Sequence, residues 1–91
     1  LNTLPLRARL AKQLMHLIRS YGVPSLADGR ETRIGLQLAQ EELAQLLGAS
    51  RQRVNQELKA MEREEVIRIE PGGLVVRSRD ALARIVEQDN N

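Results

Sequence analysis

A chain of 91 residues, 42% hydrophobic and 29% charged, has room for one small domain with a modest core. It holds no Cys, which excludes disulfides and thiolate metal sites and fits a reducing cytoplasm, and Tyr21 is its sole aromatic, which leaves no stacking platform for single strands or RNA. The formal net charge is only +2, so an anionic partner must be met by the placement of charge, carried by 12 Arg against 2 Lys, and not by its bulk.

No apolar run is long enough to span a bilayer, and no secretory signal is visible. The chain starts with Leu, so it is expected to be a piece of a longer protein. Its opening segment, "LPLRARLAKQLMHLIRSYG", repeats Leu6, Leu10, Leu14, Leu17, Ile18 and Tyr21 at spacings of three and four. That is the apolar stripe of a helix of about 15 to 17 residues within a leading segment 1–22, with Pro5 in its first turn and Gly22 and Pro24 ending it. "VPSLADGRET" reads as a loop, and the alternation of Ile34, Leu36 and Leu38 predicts a short strand over about 33–37. In "QEELAQLLG", Leu43, Leu46 and Leu47 predict a short helix over about 40–47, with Glu41 and Glu42 near its positive end. Gly48 ends that helix, and Ser50 is a good N-cap for the next, over about 51–64. Val66, Ile67 and Ile69, then Pro71-Gly72-Gly73, then Leu74, Val75 and Val76 spell a hairpin within 66–77. A last helix over 78–88 is capped by Ser78, buries Leu82, Ile85 and Val86, and leaves the final Asp-Asn-Asn frayed.

The expected fold is mainly α with a small β-hairpin, an α+β winged helix-turn-helix with a three-helix core, a wing and a C-terminal helix. Residues 1–91 are expected to form one domain, with its helix-turn-helix at 40–64. Two short helices crossing steeply need a small residue at their contact, a turn residue that tolerates left-handed backbone, and an apolar side chain returning into the angle. Ala44, Gly48 and Val54 supply these. Val54, Leu58 and Met61 then point inward, so Arg51, Gln52, Asn55, Gln56, Lys59 and Arg63 point out. Arg forks to guanine O6 and N7, and Gln or Asn does the same to adenine N6 and N7, which makes Arg51, Gln52, Asn55 and Gln56 candidate base readers. Ser50, Arg53 and Lys59 suit phosphate contacts, and Arg68 and Arg77 flank the hairpin as candidate wing contacts to the DNA backbone.

The stretch "LQLAQEELAQLLGASRQRVNQELKAMEREEVIRIEPGGLVVRS" resembles the C-terminal DNA-binding domain of the cyclic-AMP receptor protein and fumarate–nitrate regulator superfamily. Glu41, Glu42, Leu43, Ala44, Leu47, Gly48, Ser50, Arg51, Val54, Leu58, Met61, Val66 and Ile67 stand on the family pattern L-T-x-E-E-L-A-x-x-L-G-x-S-R-x-x-V-x-R-x-L-x-x-L-x-x-x-G-L-I. The resemblance implies that Arg51, Gln52 and Gln56 meet base edges and that Ser50, Arg53 and Lys59 meet the DNA backbone. It departs from the pattern at four places: Ala39 where Thr or Ser usually caps the first helix, Gln52 where Glu is common, Gln56 where Arg is common, and Glu65 where Gly usually precedes the wing.

The resemblance further implies a cytoplasmic bacterial regulator that dimerises on a palindromic operator and contacts RNA polymerase. Its effector, such as a cyclic nucleotide, would bind an N-terminal sensor domain, so no cofactor is expected on this chain. The chain alone is then expected to be largely monomeric and to bind DNA weakly. Enzyme chemistry is not legible: His16, the sole His, lies between Met15 and Leu17, no nucleophile has a visible partner, and Glu62, Glu64 and Glu65 read as a solvated face before a metal site. Two other readings stay open, a winged-helix protein-interaction or dimerisation module and a winged-helix repressor of another family.

Overall fold

The computed structural model describes residues 5–89, which form four helices and a small sheet. Helix α1 (Leu6–Tyr21) follows Pro5, which sits at the N-cap and not inside the first turn; the Pro5 carbonyl accepts from the Arg9 N–H at 3.0 Å. Leu10, Leu14, Leu17 and Ile18 are buried as the periodicity predicts, joined by Ala8 and Ala11. Tyr21 departs from expectation at 59% exposed. It is the last residue of the helix, and the chain turns at Gly22 into extended backbone without covering it.

The expected loop after α1 contains a two-residue strand, β1 (Val23–Pro24), which pairs antiparallel with β2 (Thr32–Gly35). Strands β3 (Ile67–Glu70) and β4 (Gly73–Val76) form the expected hairpin, and β4 also pairs with β2, so the sheet has four strands in the order β1-β2-β4-β3. The loop between β3 and β4 is Pro71-Gly72, with Gly72 at φ +71°, a left-handed conformation that glycine adopts without the steric cost of a side chain. Lying between two partners, β4 is buried along its whole length.

The largest correction concerns α2, which runs Leu36–Leu47 and so begins four residues ahead of expectation. The alternation through Ile34, Leu36 and Leu38 is not all strand. The ladder with β4 ends at Gly35↔Gly73, where the hairpin turn removes the partner. From there Leu36, Ala39 and Leu43 carry a helical spacing into the core, with Ala39 and Leu43 fully buried. Ala39 therefore does not occupy a cap position, which falls to Gly35, and Glu41 and Glu42 lie in mid-helix with no acid in the first turn. The side chains of Leu46 and Leu47 lie outside the described set, as do Asn90 and Asn91.

Helix α3 (Arg51–Arg63) anchors through Val54, Leu58 and Met61, each buried to 1% or less exposure. Burying such a side chain contributes about 1.5–3 kcal/mol. The helix ends in a Schellman motif: the Val66 N–H donates to the Met61 carbonyl and the Glu65 N–H to the Glu62 carbonyl, both at 3.0 Å. The motif needs left-handed backbone at its C′ position, usually glycine, and here Glu65 adopts it at φ 63°. Where the family pattern places Gly, this chain takes the left-handed conformation with a side chain present, at a steric cost. Helix α4 (Arg79–Asp89) starts as expected, with the Ser78 hydroxyl accepting from the Ala81 N–H at 3.1 Å, and buries Leu82 and Ile85.

Candidate nucleic-acid interface

The site is built on the turn from α2 to α3. Gly48 takes the left-handed conformation, φ 62° and ψ 27°, that ends α2. Ser50 then caps α3, its hydroxyl accepting from the Arg53 N–H at 3.1 Å while its carbonyl accepts from the Val54 N–H. Ala44 packs against the core and Val54 closes the angle between the two helices. These are the roles their residue types predict.

With one side of α3 sealed into the core, Arg51, Gln52, Arg53, Gln56, Lys59 and Arg63 are exposed. Among the described residues, Gln52, Gln56, Lys59 and Arg63 make no side-chain hydrogen bond or ion pair, so their polar groups are available to a partner. The first turn of α3 holds no acid and instead carries Arg51 and Arg53. At the positive end of a helix dipole that is the wrong sign for stability. It is the right sign for an anion, because the unpaired N–H groups and the guanidiniums attract it together. The acids on α3 are engaged or set back: Glu62 accepts from the Ile69 N–H at 2.9 Å, and Glu57 is half-buried.

Two of the predicted readers are tied to α2. The Arg51 guanidinium lies 3.9 Å from the Glu41 carboxylate, with both side chains more than half exposed. Asn55 is half-buried, and its Oδ1 accepts from Gln40 Nε2 at 3.0 Å.

The wing arginines are engaged by carboxylates of the sheet and of the segment before it. Arg68 is committed to two carboxylates: its Nη2 and Nη1 donate to Glu31 at 2.8 and 3.3 Å, and its Nε donates to Glu70 at 2.9 Å. Those hydrogen bonds, to Glu31 first and Glu70 second, push its pKa above the ordinary guanidinium value. Arg77 lies 3.6 Å from Glu31, and Arg33 lies 3.7 Å from Glu70. Arg33, Val75 and Arg68 are in register across three strands, so the two guanidinium stems lie beside the fully buried Val75. Glu31, whose side chain is only 12% exposed, was read as part of a loop. Its role was not visible because its partner lies 37 residues away in the chain.

Residues 8–85 match the family model for the Crp-like helix-turn-helix domain. The chain is 38% identical over 76 residues to a CRP-like cAMP-activated global transcriptional regulator of Mycobacterium tuberculosis, a match covering 84% of this chain and 33% of that protein. The chain thus spans about a third of the length of the curated relatives it matches. Among solved structures, the Thermus thermophilus catabolite activator protein superposes with a TM-score of 0.71 at 31% identity, over 91% of this chain and 34% of that one. A second Thermus thermophilus protein, a transcriptional regulator of the CRP/FNR family, shares the fold with a TM-score of 0.82 at 23% identity, over 96% of this chain and 43% of that one.

Proposed function

The chain belongs to the family of Crp-like helix-turn-helix domains, and on that premise we propose that it reads double-stranded DNA by sequence, as the output domain of a bacterial transcription regulator. The observation that carries this reading is the exposed face of α3, where Gln52, Gln56, Lys59 and Arg63 have no partner among the described residues and stand beside a basic first turn. The N-terminal half of such a helix enters the major groove. Arg51, Gln52 and Gln56 meet base edges there, with Asn55 beside them, while Ser50, Arg53 and Lys59 hold phosphates. Arg77, half-exposed beside the wing, is a further candidate for the backbone, while Arg68 has to leave two carboxylates to reach it.

The regulator as a whole is proposed to act in the cytoplasm as a homodimer on a palindromic operator and to touch RNA polymerase. Control by a small effector such as a cyclic nucleotide is suggested by the mycobacterial relatives, which are cAMP-activated regulators. It is assigned to sequence outside the third that this chain matches, and no cofactor is assigned to this chain.

Duplex binding measured across a salt series tests the reading. Affinity falls steeply as salt rises when phosphates are being neutralised. Lys59→Ala weakens binding almost equally on all sequences and lowers the salt slope by about 1. A weak response that is flat in salt would favour the protein-interaction module instead.

A further inference from the structure

Arg51 is the one charged side chain among the candidate base readers, and a carboxylate from the other helix stands beside it. Glu41 projects from the middle of α2, where Ala39 and Leu43 on either side of it are fully buried and fix its backbone. One turn earlier on the same helix, Gln37 Nε2 donates to Glu41 Oε1 at 3.2 Å. A carboxylate only accepts, so this contact admits one orientation of the Gln37 amide and holds the same oxygen that faces Arg51. That oxygen lies 3.9 Å from Arg51 Nη2. At such a distance the two charges attract, but no hydrogen bond closes between them, so the pair consumes none of the guanidinium donors.

We infer that Glu41 is a specificity-determining positioning residue, which turns Arg51 from phosphate toward a guanine edge. The inference rests on the DNA-reading assignment above. Arg51 stands in the first turn of α3, where an exposed guanidinium can meet either a phosphate or a base. A phosphate is an anion, and the Glu41 charge repels it from the spot to which Arg51 attracts it. Guanine is neutral and takes two N–H donors through O6 and N7, so it shares the guanidinium with Glu41 without that repulsion. The carboxylate thus costs affinity on every duplex and adds preference on the right one. With both side chains more than half exposed, solvent screening limits the effect to about fivefold. Gln52 and Gln56 are neutral, so no ionic attraction to phosphate competes with their reading of a base.

The test uses the 91-residue chain and a duplex selected by it from a randomised pool. Affinities for all four base pairs at each position, and for an unrelated duplex, are measured for the wild type, Arg51→Ala, Glu41→Gln and the double variant, with a thermal melt of each as the folding control. Arg51→Ala should identify one position at which the wild type prefers guanine by about tenfold. Glu41→Gln keeps the shape of the side chain and removes its charge. It should lower that preference by about two- to fivefold, leave the other positions alone and tighten binding to the unrelated duplex. General loosening of the domain would weaken both duplexes instead. In the Arg51→Ala background, Glu41→Gln should change no base preference, because Glu41 acts through Arg51. The inference is overturned by a guanine preference that Glu41→Gln leaves unchanged or raises, by a loss spread over all positions, or by an effect on base preference that persists without Arg51. A wild type with no guanine preference at the Arg51 position overturns it too. Absence of salt-dependent duplex binding by the wild type would instead sink the DNA-reading assignment itself.

Discussion

The outer face of α3 and the outer face of the sheet are both rich in arginine, yet they are built for opposite purposes. On α3, Arg51 has one distant carboxylate partner, and the Gln52, Gln56, Lys59 and Arg63 side chains have none among the described residues. On the sheet, Arg33, Arg68 and Arg77 share Glu31 and Glu70, and the guanidinium stems lie beside Val75. The first arrangement leaves hydrogen-bonding capacity unused and accepts an unfavourable helix-end charge. The second uses that capacity to tie the segment before β2 to the hairpin. Arginine content alone does not mark a DNA-facing surface; what matters is whether carboxylates from elsewhere in the chain reach it.

Substitutions can break this contrast, and the largest effect is expected beneath both faces. Leu58→Ala removes a fully buried anchor of α3 and should cost about 2–5 kcal/mol in urea unfolding, with DNA binding lost only as the fold is lost. Arg51→Ala should relax base preference and cost about 1–3 kcal/mol of binding to the preferred duplex, while the unfolding midpoint barely moves. Arg68→Ala should do the reverse. Leaving Glu31 without its bidentate partner should lower the urea-unfolding midpoint, with little change in DNA titrations. If Arg68→Ala weakened DNA binding strongly at unchanged stability, the two faces would not differ as described. The smallest effect is expected at the joint between them. Glu65→Gly relieves left-handed backbone at the end of α3 and should raise stability by up to about 1 kcal/mol, read as a higher melting temperature.

Most of the recognition element was legible because it is local. Gly48, Ser50 and the spacing of Val54, Leu58 and Met61 act within a few residues of one another, and the structure places each in its predicted role. The start of α2 was not legible for a definable reason. Ile34, Leu36 and Leu38 fit a period of two, and only the end of the β4 partner at Gly73 decides that the ladder stops at Gly35. Tyr21 fits the stripe of α1 by spacing, but its side chain stays exposed at the last turn. Strand β1 is two residues long, too short to show a period, and it exists because β2 offers it an edge.

The sequence by itself determined the order of the four helices and the three longer strands, the helix-turn-helix, the hairpin and the outward set on α3. Each follows from hydrophobic period, capping and turn chemistry, which act over a few residues. Tertiary structure alone decided which polar side chains are free. Glu31 reaches Arg68 across 37 residues, and Gln40 reaches Asn55 across 15. No local rule reports such pairs, because a side chain's partners are set by how the elements pack, and those partners decide whether it faces DNA free or already spoken for.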